Sequence, residues 1–135
     1  MIFLKNLLLI GVSLVLVLSG CSGSSEKKLP LIGVSVRVAD QGKDYCKLEW
    51  KVTNKSNINA TFRNGNIEQY EIMNMSTNKK YISEKNKLDV VLKNGDEYSN
   101  IILLTKLRKG TYNATFWAES GEGTKGTMKL SFEIK

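Results

Sequence analysis

Apolar and polar residues alternate along most of the chain after Pro30, and a period of two residues predicts half-buried strands. The clearest example is Cys46-Lys-Leu-Glu-Trp-Lys-Val52, in which the apolar residues are separated by charged ones. Alternation or a short apolar run also marks residues 32–38, 58–62, 70–72, 88–92, 101–104, 110–118 and 128–134. No segment of about eleven residues or longer after Cys21 has helical periodicity. We therefore predict an all-β fold, an antiparallel β-sandwich of seven or eight strands.

Two Asn-Gly pairs mark turns between these segments. Arg63-Asn64-Gly65-Asn66 follows the 58–62 segment, and Asn-Gly readily adopts the positive φ values of a tight hairpin turn. A second pair lies in the segment 93–96, before the apolar run 101–104. We expect the first turn to form a hairpin with the strand that follows it.

The first twenty residues have a different pattern and do not belong to this fold. A short positively charged start, Met1 to Lys5, is followed at 6–18 by an uncharged apolar run that is short for a membrane span. We expect residues 1–20 to be a cleaved signal peptide and the small polar residues 21–29 to be a flexible tether. Residues 30–135 then form a single domain. The alternative is an uncleaved N-terminal anchor.

The end of the apolar run carries a specific motif, Leu18-Ser19-Gly20-Cys21. It resembles the lipobox of bacterial lipoproteins, and that resemblance implies a diacylglyceryl group on the Cys21 thiol. We therefore expect a lipid-anchored protein on the extracytoplasmic face of the cell membrane. The low cysteine content and the many Lys, Asn and Ile residues favour a single-membrane bacterium.

The second cysteine, Cys46, has no partner in the chain once Cys21 carries lipid, so no intrachain disulfide is expected. Cys46 lies in the clearest alternating strand, where a free thiol behaves as a small apolar side chain. We predict that Cys46 is a core residue and not a reactive thiol.

Composition excludes most catalytic chemistry. The chain has no histidine, which removes His-based acid–base catalysis, Ser-His-Asp and Cys-His pairs, and most zinc and copper sites. Gly121-x-Gly-x-x-Gly126 lies between two strands, so it predicts a hairpin loop and not a dinucleotide site. Met73 and Met75 suit Cu(I), but nothing else indicates copper. We expect a non-catalytic protein without a metal or cofactor.

The net charge of +7 is a basic bias for an exported chain. Such a charge gives weak, salt-sensitive attraction to anionic lipids and wall polymers. No basic stripe interleaved with aromatic residues is present, and the compartment is wrong for nucleic acid. We expect a monomeric domain held at the membrane through Cys21, with a protein or a cell-wall polymer as its partner.

The segment Leu107-x-x-Gly110-x-Tyr112-x-Ala114 resembles the tyrosine corner of immunoglobulin-like domains. The resemblance implies that the Tyr112 hydroxyl bonds to backbone at the start of a strand, and that the sandwich is immunoglobulin-like. Ala114 then occupies the position of the second cysteine, with Cys46 at that of the first. The alternative is an ordinary core tyrosine.

A further set of short motifs lies between Leu48 and Tyr112. They are Leu48 to Asn54 with Ser56, Thr61-Phe62-x-Asn64-Gly65, Tyr70-Glu71-Ile72, Leu92-x-Asn94-Gly95-Asp96 and Gly110-x-Tyr112. Together they are similar to the bacillus-type intracellular proteinase inhibitor family, itself an immunoglobulin-like sandwich. The spacing from Gly65 to Tyr70 and the lack of a following Trp-containing segment depart from that family. For an exported chain, the resemblance implies an alternative function, inhibition of an extracellular subtilisin-like protease.

Loops and exposed aromatic residues are the candidates for recognition, because binding residues concentrate on loops of a rigid scaffold. Trp117 has the opposite parity to Phe116, so it should face outward from its strand. The candidate binding residues are Arg63, Asn64, Gly65 and Trp117, with Tyr81 beside Lys79 and Lys80. The alternative is that Asn64-Gly65 is only a turn and that Trp117 covers an edge.

Overall fold

The computed structural model describes residues 28–135, and the alternating segments form antiparallel strands. The predicted signal peptide, the lipobox with Cys21 and most of the tether lie outside the described residues. The strands are β1 (Ile32–Gln41), β2 (Cys46–Asn54), β3 (Ala60–Phe62), β4 (Gln69–Asn74), β5 (Lys80–Ile82), β6 (Val90–Leu92), β7 (Glu97–Leu104), β8 (Gly110–Glu119) and β9 (Lys125–Ile134). Among these, β5 was not predicted, because its three residues show no alternation.

Two larger sheets face each other. One has the strand order β1-β2-β7 and the other β5-β4-β8-β9, while β3 and β6 form a separate pair. The Trp50 and Phe116 rings meet edge-on across the interior, with centroids 5.3 Å apart. The predicted antiparallel β-sandwich is confirmed, and its strand order matches the A-B-E and C-F-G sheets of immunoglobulin-like domains.

The alternation in β2 is the basis of the core. Its apolar residues are fully buried and the charged residues between them are half-buried, so one face of the strand is turned inward. Burying each such apolar side chain contributes about 1.5–3 kcal/mol. The fully buried residues of β2 are Cys46, Leu48, Trp50, Val52 and Asn54. The prediction that Cys46 is a core residue is confirmed, and burial raises the pKa of its thiol to about 11.

The tyrosine corner is also confirmed. The Tyr112 hydroxyl donates a hydrogen bond to the Arg108 carbonyl oxygen at 2.6 Å, where the chain turns from β7 into β8. The Tyr112 ring is buried and stacks on Phe132, with centroids 5.1 Å apart and planes within 3°. This contact fixes the end of the sandwich to the backbone of the β7–β8 connection.

The hairpin predicted at Arg63–Asn66 is wrong. Strand β3 pairs with β6, in the register Ala60 to Leu92, while β4 pairs with β5 and β8. The Arg63–Asn66 turn therefore carries the chain from the small β3–β6 pair to the four-stranded sheet. Its conformation was predicted correctly, with φ values of 55° at Asn64 and 76° at Gly65. Turn geometry is local, whereas strand pairing depends on where distant apolar residues are buried.

The connections collect at two ends of the sandwich. Strands β1 and β9 run side by side in the same direction, which shows which ends of the two sheets lie together. A Cβ on Gly126 would lie 2.7 Å from the Ile32 carbonyl oxygen, and Gln41 Nε2 donates a hydrogen bond to the Glu133 carbonyl oxygen at 3.0 Å. We call the end at which Pro30 begins the fold the lower end. It holds the connections 55–59, 63–68, 83–89, 93–96 and 120–124. The upper end holds the tyrosine corner and the connections 42–45, 75–79 and 105–109.

Candidate binding surface

The Arg63–Asn66 turn is compact and held by its own backbone. The Asn66 amide donates to the Arg63 carbonyl oxygen at 3.1 Å, and the Glu68 amide donates to that of Gly65 at 3.0 Å. Gly65 is buried, and a Cβ at this position would lie 2.5 Å from Asn86 Oδ1. Glycine is required here both for the positive φ and for this close approach.

The β5–β6 connection, residues 83–89, lies directly against this turn. The Gly65 amide donates to the Leu88 carbonyl oxygen at 2.8 Å, and the Asn64 amide donates to the Asp89 carboxylate at 3.0 Å. Within the connection, Asn86 Oδ1 accepts a hydrogen bond from the Leu88 amide at 2.8 Å. Two irregular segments therefore hold each other in place.

Between these segments is an open cleft of about 440 Å³ rich in side-chain amides. Each primary amide offers two donors and an acceptor, so such a cleft is suited to a neutral polar ligand. Its lining residues are Asn64, Asn66, Gln69, Lys85 and Asn86.

Trp117 lies beside this cleft, on the outer face of the four-stranded sheet. It is directly opposite Gln69 of β4 and Thr127 of β9, and it is half-buried, with Lys125 Nζ 5.2 Å from its ring centroid. The predicted outward orientation of Trp117 is confirmed.

Gln69 connects Trp117 to the turn. Its side-chain amide donates to the Gly65 carbonyl oxygen at 2.7 Å and accepts from the Ser83 hydroxyl at 3.2 Å. The Glu119 amide also donates to the Asn66 carbonyl oxygen at 2.9 Å. The structure therefore brings Asn64, Gly65 and Trp117 together at the lower end, around Gln69.

Glu68 holds the far side of this surface to the opposite sheet. Its Oε2 accepts hydrogen bonds from the Tyr98 hydroxyl and from Asn100 Nδ2, both at 2.8 Å. Burial and the adjacent Glu68 carboxylate raise the pKa of Tyr98 to about 12, so this hydroxyl remains a donor at neutral pH.

The two other candidate residues lie elsewhere. Arg63 is exposed and lines a smaller cleft of about 220 Å³ on the β3–β6 side of the turn. Tyr81 faces the interior from β5, its ring 6.4 Å from that of Tyr112, with Lys79 Nζ 5.1 Å from its centroid. The structure does not bring Tyr81 together with Trp117.

Gln69, Lys85 and Asn86 are the residues that sequence reasoning missed. Each lies in or next to a segment without periodicity, so no local pattern distinguishes it from a solvated polar residue. Only the pairing of Gln69 with Trp117, the contact of Asn86 with Gly65 and the position of Lys85 in the cleft make them part of a surface.

Within residues 28–135, no group of three or more His, Cys, Asp or Glu side chains is arranged to hold a metal ion. The described residues also contain no helix that is long and apolar enough to cross a membrane.

Comparison with known proteins supports the fold. No family model matches the chain, and no curated protein matches it. Among solved structures, a β-glucosidase of family GH3 from Bifidobacterium adolescentis is similar, with a TM-score of 0.51 and 16% identity over 78% of this chain. A Listeria innocua β-glucosidase variant in complex with laminaribiose has a TM-score of 0.50 and 14% identity over 82% of the chain. A β-glucosidase from Kluyveromyces marxianus has a TM-score of 0.50 and 10% identity over 81%.

This chain spans only 18%, 17% and 15% of the length of those three chains. At such low identity the similarity concerns the fold alone. It is a similarity to one small part of much larger enzymes.

Proposed function

We propose that this protein is an exported, lipid-anchored lipoprotein whose β-sandwich is a non-catalytic binding module. The anchor is the diacylglyceryl group on Cys21, and the site of action is the extracytoplasmic face of the cell membrane. The recognition surface is the amide-lined cleft at the lower end together with Trp117. The partner is a protein or a cell-wall polymer.

The observation that carries the binding role is the convergence of the turn and Trp117 around Gln69. An indole ring supplies apolar contact area and the amides supply donors and acceptors, which is the usual combination of a recognition site. The turn is held by backbone hydrogen bonds and Trp117 lies in the paired strand β8, so little ordering is needed when a ligand binds.

The position of this surface agrees with a short anchor. If residues 21–29 act as the expected tether, a flexible segment of nine residues would have a root-mean-square length of about 17 Å. The lower end, where Pro30 begins the fold, is then held close to the bilayer. A partner at this surface is expected to lie at or near the membrane.

Lipid anchoring is tested with Cys21→Ser. We expect the wild-type chain in the detergent-soluble membrane fraction with the added mass of the lipid, and the variant as an unprocessed, unlipidated precursor. Wild-type and variant chains of the same mass in the membrane fraction would contradict the anchor.

Binding is tested by capture from the producing cell's envelope, with the captured protein or polymer identified by mass. The double variant Gln69→Ala/Trp117→Ala should lose the capture. The variant Lys129→Ala, in β9 on the same outer face of the four-stranded sheet, should retain it. Unchanged capture by the double variant would exclude this surface as the binding site.

Protease inhibition is the second candidate, and one observation favours it. The connection 83–89 is irregular, largely exposed and held by hydrogen bonds to the Arg63–Asn66 turn, as a substrate-like loop would be. Incubation with extracellular subtilisin-like proteases at micromolar concentration tests it. Inhibition that Lys85→Ala and Asn86→Ala abolish would support this alternative, and rapid cleavage within 83–89 would exclude it.

A further inference from the structure

The basic charge of the domain is concentrated at one end. The three upper connections, 42–45, 75–79 and 105–109, contain five basic residues and one acidic residue, Asp44. The five lower connections contain five basic and five acidic residues. We call the basic set at the upper end the cationic cluster: Lys43, Lys79, Lys106, Arg108 and Lys109.

The three upper connections are joined to one another by hydrogen bonds. The Leu107 amide donates to the Asp44 carbonyl oxygen at 2.8 Å, which joins the 105–109 and 42–45 connections. Asn74 Nδ2 donates to the Lys109 carbonyl oxygen at 3.3 Å, which joins 105–109 to the 75–79 connection that follows Asn74. The cationic cluster therefore belongs to one surface.

The backbone of the 105–109 connection is held by hydrogen bonds, and its charged side chains are exposed. The Arg108 carbonyl oxygen is held by the Tyr112 hydroxyl, and Leu107 is buried with 4% of its surface exposed. The side chains on either side of Leu107, those of Lys106, Arg108 and Lys109, are all exposed. The tyrosine corner thus presents three cations from a fixed backbone.

These cations form no ion pair within residues 28–135, although Asp40 and Asp44 line the same cleft as Lys106. Lys79 is in contact with the ring of Tyr81, which leaves its charge available. Exposed Lys and Arg side chains that share one surface and form no ion pair suit phosphate groups, with Arg108 able to bind two phosphate oxygens at once.

We propose that the cationic cluster binds a linear polyanion that carries repeated phosphate groups. The position of this ligand rests on the proposed function, because anchoring through Cys21 holds the lower end at the bilayer. Strand β8, with ten residues, separates the two ends by about 30 Å. Charge on the membrane is screened over about 8 Å at physiological salt, so the cluster faces a polymer above the membrane and not the bilayer surface.

The test uses linear inorganic polyphosphate as the probe. Its binding is measured by titration at several salt concentrations, with the full chain in detergent and with residues 26–135, which contain every core residue of the described fold. The test variant is Lys106→Gln/Arg108→Gln/Lys109→Gln. The matched control is Lys28→Gln/Lys55→Gln/Lys93→Gln, which removes the same charge at the lower end.

We expect the test variant to weaken polyphosphate binding about tenfold or more at low salt and to reduce the dependence of log K on log salt by about 2. The control should weaken binding by no more than about threefold, since it lowers only the overall charge. Equal losses in both variants would overturn the proposal, because binding would then follow net charge alone. Unchanged melting temperatures verify that the variants are folded.

Vesicles containing phosphatidylglycerol form the second arm. If the cluster is required for vesicle binding and not for polyphosphate binding, the polymer is the wrong ligand and the proposal fails. Because residues 26–135 carry no lipid, this result is independent of the Cys21→Ser experiment. Loss of polyphosphate binding in the test variant would therefore stand even if lipid anchoring were disproved.

Discussion

The two ends of the sandwich are closed in the same way, yet they carry different surfaces. At each end a buried asparagine is the last residue of a strand: Asn54 ends β2 at the lower end, and Asn74 ends β4 at the upper end. Both side chains hydrogen-bond to the connection that follows and to a distant carbonyl oxygen. The buried asparagine therefore has the same structural role at both ends, whatever the charge of the exposed side chains around it.

The lower asparagine makes the more extensive set of contacts. Asn54 Nδ2 donates to the Ile58 and Leu92 carbonyl oxygens at 2.6 and 2.9 Å, and Oδ1 accepts from the amide and hydroxyl of Ser56. Asn74 Nδ2 donates only to the Lys109 carbonyl oxygen, at the longer distance of 3.3 Å, and Oδ1 accepts from the amides of Ser76 and Thr77. The lower end should therefore be more sensitive to loss of its asparagine.

The largest expected effect is that of Asn54→Ala. The change removes the donor to the buried Leu92 carbonyl oxygen and one of the two donors to the Ile58 carbonyl oxygen, and it should reduce the free energy of unfolding by about 3 kcal/mol. Urea denaturation at unchanged m-value measures it. The exposed Asn57→Ala is the control and should change stability by less than about 0.5 kcal/mol.

Asn74→Ala should cost less, about 2 kcal/mol, because one of its three hydrogen bonds is long and the turn around it is more exposed. The same denaturation experiment decides the order. If Asn74→Ala were as destabilising as Asn54→Ala, the two ends would be equally constrained and the comparison above would be incorrect.

Alkaline pH should lower the free energy of unfolding through ionisation of Cys46, the first residue of β2, at the upper end. Burial raises the pKa of its thiol from 9.0 to about 11, so the folded state holds the proton more tightly than the unfolded chain does. This contribution to stability is complete below pH 9 and is lost as the pH rises to about 11, with a magnitude on the order of 1–2 kcal/mol.

The measurement compares the wild type with Cys46→Ala over that pH range. The variant should be less stable at neutral pH but should lose less stability between pH 9 and 11. Parallel curves would mean that the thiol does not titrate with folding. Tyr98, at the lower end, has a pKa of about 12 and contributes at higher pH.

Much of the fold follows from local patterns. The alternation in β2, the Tyr112 motif and the Asn64-Gly65 pair each predict a feature that depends on a few neighbouring residues, and each was found. Strand β5 and the pairing of β3 with β6 were not predicted. Strand β5 has only three residues, too few for alternation to be recognised, whereas β3 and β6 were recognised as strands but their pairing depends on where distant apolar residues are buried.

The candidate surface was predicted only in part. The parity of Trp117 within its strand was sufficient to predict its outward orientation, because side chains alternate strictly in a strand. Its proximity to the Asn64-Gly65 turn depends on Gln69, which lies opposite Trp117 only in the register of β4 with β8. That register results from burying the inner faces of both strands and has no local signal.

The amino-acid sequence by itself determined the approximate positions of eight of the nine strands in the described residues, which face of β2 and β8 is buried, and the positive φ values of the Asn64-Gly65 turn. These are properties of short segments, set by side-chain sterics and hydrophobicity. The tertiary structure alone decided which connections share an end. The separation of five unpaired cations at the upper end from a balanced lower end arises because strand order brings distant loops together, and strand order is fixed by the burial of the whole core.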